Sequence, residues 1–213
     1  MSIFIGDIHG TYKTLKKLLE KYPSDPIYLV GDLIDRGPGS VDVIQFLIDN
    51  YDRIKCVIGN HEEMMMDFYS RPQKPRMNHI WLMNGGKKVF EKYHYSCPEK
   101  LRSHLKFIKS LPYYIELPDL KNNDERYPII SHSIIKSKNI QKCIDDQSII
   151  WGRYFPENDI SEGKWFNIFG HTPVLNPWIT DHWANIDTGC CFKGHLTAME
   201  WPSLNCTMIK NCE

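Results

Sequence analysis

Several features that would assign this chain to a membrane, a nucleic acid or an oxidising compartment are missing from its sequence. No apolar run approaches the ~20 residues that a membrane-crossing helix needs. Lysine plus arginine and aspartate plus glutamate both number 26, so the formal net charge is zero, and no basic block is available to follow a phosphate backbone. Charge therefore selects no partner, and neither a nucleic-acid polymer nor a membrane is expected. The seven cysteines are an odd number without paired C-x-x-C spacing. That argues against a zinc ribbon or a disulfide framework and for reduced thiols. The neighbours Cys190 and Cys191 are poorly placed to bridge each other and read as packing at a strand end. The strand-like run Ser2-Ile3-Phe4-Ile5 follows a single residue, with no room for a basic region and an apolar signal core, so a cytoplasmic location is expected. Repeats and low-complexity segments are absent.

A chain of 213 residues suits one large domain, here taken as 1–213, with a core big enough to surround a cleft. Its most informative stretch is Gly31-Asp32-Leu33-Ile34-Asp35-Arg36-Gly37, directly after the apolar run Ile27-Tyr28-Leu29-Val30. A buried strand that ends in two carboxylates and a guanidinium is poor packing and good chemistry. Alternatively, Asp35 caps the helix predicted by Val41, Ile44, Leu47 and Ile48, with Pro38 in its first turn. The rest of the chain weighs against that simpler reading. Strand, polar turn and helix occur three times: Ser2–Ile5 leads to Gly6-Asp7-Ile8-His9-Gly10, Pro26–Val30 to the stretch above, and Ile54–Ile58 to Gly59-Asn60-His61-Glu62, with a further helix from about Glu63. This βαβ rhythm predicts a parallel sheet whose carboxyl edge gathers all three turns. If the strand geometry persists, Asp7 and His9, two apart, point to the same side.

Residues 64–110 read as a helical flank or lid, interrupted at Asn84-Gly85-Gly86, with the Met64–Met66 run and Trp81-Leu82-Met83 as packing faces. His79, His94 and His104 within it lack matching carboxylates and read as surface or packing residues. Later apolar runs, Tyr113–Leu117, Tyr127–Ser131 and Phe166–Phe169, deliver His132 and His171 at strand ends, and Trp151-Gly152-Arg153 adds an arginine. The tail, Trp183–Ile186, Leu196–Trp201 and Cys206–Ile209, reads as antiparallel strands of a second sheet. A two-sheet α/β sandwich with a site across its top follows. Trp151, Trp178, Trp183 and Trp201 read as sandwich core or cleft wall rather than a base-stacking platform, and Asp187 either holds a ligating histidine or caps the Thr188-Gly189 turn.

The strand-end residues mix carboxylate and amide oxygens with imidazoles, which suits manganese, iron or zinc better than calcium. Asp7, His9 and Asp32 are assigned to one ion, and Asp32, Asn60, His132 and His171 to a second, with Asp32 bridging. Two such ions about 3.5 to 4 Å apart share a hydroxide and aim it at phosphorus. Arg36 and Arg153 then hold phosphate oxygens, His61 is the candidate acid, and Asp35 orients its ring.

Gly-Asp-x-His-Gly at 6–10, Gly-Asp-x-x-Asp-Arg-Gly at 31–37 and Gly-Asn-His-Glu at 59–62, followed in order by His132 and His171, resemble the signature of the phosphoprotein phosphatase family. Together with Asn84-Gly85-Gly86 and Gly170-His171-Thr172-Pro173, they make the chain look like the compact bacterial and bacteriophage lambda serine/threonine phosphatases. The resemblance implies a calcineurin-like metallophosphoesterase sandwich of two mixed β-sheets flanked by helices. It also implies manganese dependence and activity on phosphoserine, phosphothreonine, phosphotyrosine or aryl phosphates. Two positions depart from the family pattern: Ile58 stands where relatives acting on proteins commonly carry arginine, and Ser133-Ile134 where Ala-Gly is usual. The runner-up is a symmetrical dinucleoside tetraphosphate hydrolase, similar at Gly37-Pro38-Gly39-Ser40 and Asp187-Thr188-Gly189-Cys190-Cys191. A phosphorylated protein or a small phosphoester or dinucleotide is thus the expected substrate. A third possibility, a non-catalytic phospho-binding protein, is disfavoured because every expected ligand and the acid are present.

Overall fold

The computed structural model describes residues 1–70, 80–153 and 164–213; His79 lies outside them. Its first half runs β1 (Ser2–Ile5), α1 (Tyr12–Leu19), β2 (Ile27–Leu29), α2 (Ser40–Asp49), β3 (Ile54–Cys56) and α3 (Asn60–Ser70). A π-helical turn (Leu82–Gly86), α4 (Lys87–Tyr95) and α5 (Pro98–Lys109) follow. The second half contains β4 (Tyr114–Glu116), β5 (Tyr127–Ser131), α6 (Ile140–Asp145), α7 (Ser148–Trp151), β6 (Trp165–Phe169), β7 (Trp178–Ile179), β8 (Trp183–Asn185), a 3-10 turn (Cys190–Phe192), β9 (His195–Trp201) and β10 (Cys206–Lys210).

These strands form two five-stranded mixed sheets, ordered β10-β9-β1-β2-β3 and β4-β5-β6-β8-β7. The parallel trio β1, β2 and β3 is as the sequence predicts. The tail is not. β9 pairs antiparallel with β1, and β10 with β9, so both belong to the first sheet, and only β8 joins the second, parallel to β6. Alternation reveals a strand but not its partner, and β1 has an open edge that only a distant segment can cover.

Side-chain alternation divides the core. Ile3, Ile5, Ile27 and Leu29 face the helices with Leu15, Leu18, Ile44 and Leu47 of α1 and α2, whereas Phe4, Val30, Ile130, Ile168, Met199 and Trp201 fill the space between the sheets. Both faces of the first sheet are therefore buried, which explains why its strands read as continuous apolar runs. Trp81, Val89, Tyr93 and Ile108 of the helical segment join the helix-side cluster. The histidines there are structural: buried His104 bonds Tyr93 and Gln45, while exposed His94 bonds the Phe90 carbonyl.

Candidate metal-centred active site

The functional side chains converge because β1, β2 and β3 of one sheet and β5 and β6 of the other all end at the site, and the loops that leave them turn abruptly. His9, Asp32, Asp35, Arg36 and His171 all have positive φ, between 45° and 73°, a conformation L-residues hold only where surroundings impose it. This changes the reason for one expectation. Asp7 and His9 do not share a side through extended geometry, since β1 ends at Ile5 and His9 lies in a left-handed turn. The glycines permit close approach: a side chain at Gly59 would collide with the Asp32 carboxylate, and one at Gly170 with that of Asp7.

Asp32 is the centre. Its Oδ2 lies 3.3 Å from His9 Nε2 and 3.9 Å from His61 Nε2, and its Oδ1 lies 3.3 Å from His132 Nε2. Two groups with metal-ligand geometry result, His9–Asp32–His61 and Asp32–His132–His171. Asn60 Oδ1 stands 3.0 Å from both His132 Nε2 and His171 Nδ1. The outer nitrogens of His9 and His132 face the carbonyls of Ile34 and Val30 at 2.9 and 2.8 Å, which fixes the tautomer and turns the Nε2 lone pairs inward. Lone pairs of imidazole, amide and carboxylate thus face one another at hydrogen-bond distance with too few protons between them. A divalent cation fits such a donor set.

Electrostatics agree with that fit. Burial lowers the basicity of His9 and His171 to about 3 and also depresses His132, which favours the neutral, ligand-ready form of each. Burial works against the Asp32 carboxylate, but the surrounding His132, His61 and His9 outweigh it and hold its pKa below the ordinary range. Asp7 behaves oppositely: burial first, and then the neighbouring Asp187 and Asp32, push it well above 3.8. Its carboxylate accepts the His171 amide at 3.2 Å.

Asp187 resolves between its two readings. Its Oδ1 accepts the Gly189 amide at 2.9 Å, as a turn cap does, and its carboxyl also meets that of Asp7, with burial raising its own pKa to about 6. Burial and the neighbouring carboxylates thus favour the protonated form of Asp7, and a cation held there would compete with that proton. Asp187→Asn removes the neighbouring charge, so Asp7 should ionise at lower pH. As pH falls, manganese affinity should then weaken less than in wild type, with fewer protons released on binding. Calorimetry in buffers of different ionisation enthalpy checks this.

His61 is buried, and its Nδ1 lies 2.6 Å from Asp35 Oδ2. Burial lowers its pKa, but Asp32 and Asp35 more than reverse this, leaving the imidazolium favoured. Asp35 is not the cap of α2; Gly39 occupies that position, and Ser40 Oγ instead accepts the Asp35 amide at 3.0 Å. Arg36 reaches His9 Nε2 at 2.6 Å and lies over the Phe192 ring. A cavity of about 270 Å³ opens above Asp32, Asn60, His61 and His171, with Arg36, Arg153, Trp151 and Phe192 on its walls.

Two residues at the site were not given these roles by sequence reasoning. Glu62, a motif residue, is fully buried and accepts the amides of Leu33, Ile34 and Gly59, tying the β2 and β3 loops together. Trp81, read as packing, donates its indole N–H to both oxygens of Asp35 at 3.0 and 3.2 Å. The motif spacing signals Glu62; apolar spacing cannot separate a donor tryptophan from a packing one.

The family model for calcineurin-like phosphoesterases matches residues 2–198. The chain belongs to the calcineurin-like phosphoesterase family. As a member it is a metal-dependent phosphoester hydrolase, with the two-sheet fold expected of that family. Among similar proteins, this phosphoesterase is 27% identical to the asymmetrical bis(5'-nucleosyl)-tetraphosphatase PrpE of Bacillus velezensis, over 93% of its own length and 88% of the relative's. It is 31% identical to serine/threonine-protein phosphatase 1 of Salmonella typhimurium, over 91% and 88%. A solved serine/threonine phosphatase of Saccharomyces cerevisiae shares the fold, with a TM-score of 0.66 at 17% identity, covering 100% of this phosphoesterase and 80% of the yeast chain. The resemblance to phosphoprotein phosphatases is thus one branch of a wider likeness that includes tetraphosphatases. No helix of the described residues is long and apolar enough to cross a membrane.

Proposed function

We propose that this phosphoesterase cleaves dinucleoside tetraphosphates, with the protein phosphatase reading placed second. The observation that carries the proposal is the aromatic and apolar mouth of the site. Trp151 and Phe192 line the catalytic cavity with exposed rings, and beyond Phe192 and Pro173 lies an adjoining pocket of about 330 Å³ with Val174 and Leu175 on its wall. Apolar faces flanking a phosphate site suit a nucleobase on each side of a polyphosphate. Ile58 adds support, since it is buried and gives no third arginine to clamp a phosphoprotein. The curated tetraphosphatase relatives named asymmetrical favour unequal products over the symmetrical cleavage of the runner-up reading from sequence. The Salmonella relative and the Asp35–His61 pair keep the serine/threonine phosphatase as the second reading.

In this reading Asp7, His9 and Asp32 hold one ion, and Asp32, Asn60, His132 and His171 the other. Bound divalent ions supply the nucleophile and Lewis-acid stabilisation of phosphoryl charge. Arg36 and Arg153 bind phosphate oxygens through paired N–H groups. As the P–O bond breaks, His61 gives its Nε2 proton to the departing oxygen while Asp35 stabilises the ring. The domain is taken as 1–213, with 64–110 as its helical flank or lid, of which Asn84 lies on one wall of the cavity.

The test compares kcat/KM of manganese-loaded protein on diadenosine tetraphosphate and on a phosphoserine peptide. A preference of about tenfold or more for the dinucleotide is expected, with ATP and AMP rather than two ADP as products. A preference for the peptide would transfer the function to protein dephosphorylation; turnover of neither would remove the catalytic reading.

A further inference from the structure

We infer that Trp81 is a positioning residue for His61, acting through Asp35. The inference rests on the reading of His61 as proton donor. Asp35 is fully buried, and its carboxylate is held from two sides, by His61 Nδ1 at 2.6 Å and by the indole N–H of Trp81 shared between both oxygens. A single bond to the histidine would leave the carboxylate plane free to turn. The bifurcated indole bond fixes that plane, and with it the angle at which the imidazole presents Nε2 to the cavity.

A buried tryptophan must find some acceptor for its N–H, so the bond alone would be unremarkable packing. The surrounding turn makes it more. An ideal Cβ at Gly86 would lie 2.5 to 2.6 Å from Trp81 Cε2, Cδ2 and Nε1, so the absent side chain is what lets the indole sit where it does. On the other side the ring meets Phe68 and Tyr69, with centroids 5.0 and 5.9 Å away. One residue earlier, Gly85 takes φ 109° and backs against Arg36, its ideal Cβ position 2.9 Å from Arg36 Cγ. The π-helical turn therefore supports the acid through Trp81 and the phosphate-side arginine through Gly85. Its local helical geometry is broken at Asn84 and Gly85 to do so.

A residue that aims a proton donor matters most when the leaving oxygen needs its proton. We would measure kcat for substituted phenyl phosphates in wild type, Trp81→Phe, Gly86→Ala and His61→Asn, with metal content and near-ultraviolet circular dichroism checked for each. Trp81→Phe keeps the aromatic packing and deletes only the donor; Gly86→Ala keeps the donor and displaces it, and decides the matter if Trp81→Phe folds poorly. Both should lose about tenfold on phenyl phosphate and less than about threefold on 2,4-dinitrophenyl phosphate, steepening the dependence on leaving-group pKa in the same sense as His61→Asn. An equal loss on both substrates, or no loss, would overturn the positioning role while His61→Asn still steepens the slope. A His61→Asn slope like that of wild type would overturn the donor reading itself, and this inference with it.

Discussion

His61→Asn is expected to reduce kcat on phenyl phosphate by about 10² to 10⁴-fold, the usual range for a deleted general acid. Metal content should be unchanged, and activity on a dinitrophenyl ester should suffer far less. One ring nitrogen is committed to buried Asp35 at 2.6 Å, leaving Nε2 as the polar atom that faces the cavity. Asparagine can keep a donor to Asp35 near the position of Nδ1 but has no second nitrogen to carry a proton to the leaving oxygen. Although His61 also falls in a group with metal-ligand geometry, its Nδ1 is held by Asp35 and its pKa is raised against burial by Asp32 and Asp35, whereas burial lowers those of His9, His132 and His171. A protonated imidazole donates and does not ligate. Loss of metal from His61→Asn, measured by elemental analysis after gel filtration, would therefore count against the assignment.

Asp32→Asn should be as severe by another route. Asp32 is common to both ligand groups, and its two oxygens face different histidines, Oδ2 toward His9 and Oδ1 toward His132. The substitution removes the charge that two cations would share. It also turns one face into an N–H donor aimed at a lone pair. The expected result is a fall from two bound ions per chain to one or none, and loss of at least about 10³-fold in metal-dependent activity, since each ion contributes several kcal/mol to the transition state. Retention of both ions would mean that the bridge lies elsewhere.

Much of this architecture is legible in the sequence, for identifiable reasons. A sheet buried on both faces writes itself as uninterrupted apolar runs, so Ser2–Ile5, Ile27–Leu29 and Ile54–Cys56 are visible, as are the polar turns that end them. Asp32 and Asn60 are conspicuous because carboxylate and amide are costly after such runs unless something occupies them. Other features depend on distance in the chain or on a single atom. That His195–Trp201 covers β1 is a contact between segments nearly two hundred residues apart, and a period of two carries no information about it. The start of α3 at Asn60 rather than near Glu63 places the motif residues on the helix's first turn, where propensity is least informative. The proximity of Asp187 to Asp7 follows from β8 running parallel to β6, a pairing made in space. The role of Trp81 depends on one N–H, and an apolar stripe looks the same with or without it.

The placement of β1 between β2 and β9 bears on how the enzyme comes into being. Asp7, His9 and Asp32 are synthesised early, but the strand that flanks β1 is made of residues 195–201, which follow all three motifs by more than a hundred residues. Until that strand emerges, β1 has one neighbour instead of two, and the carboxylates that follow it have no settled frame. A chain halted before residue 195 carries the three motifs without the means to hold them together. Phosphoester hydrolysis should accordingly switch on only once residues 195–201 have joined the sheet beside β1.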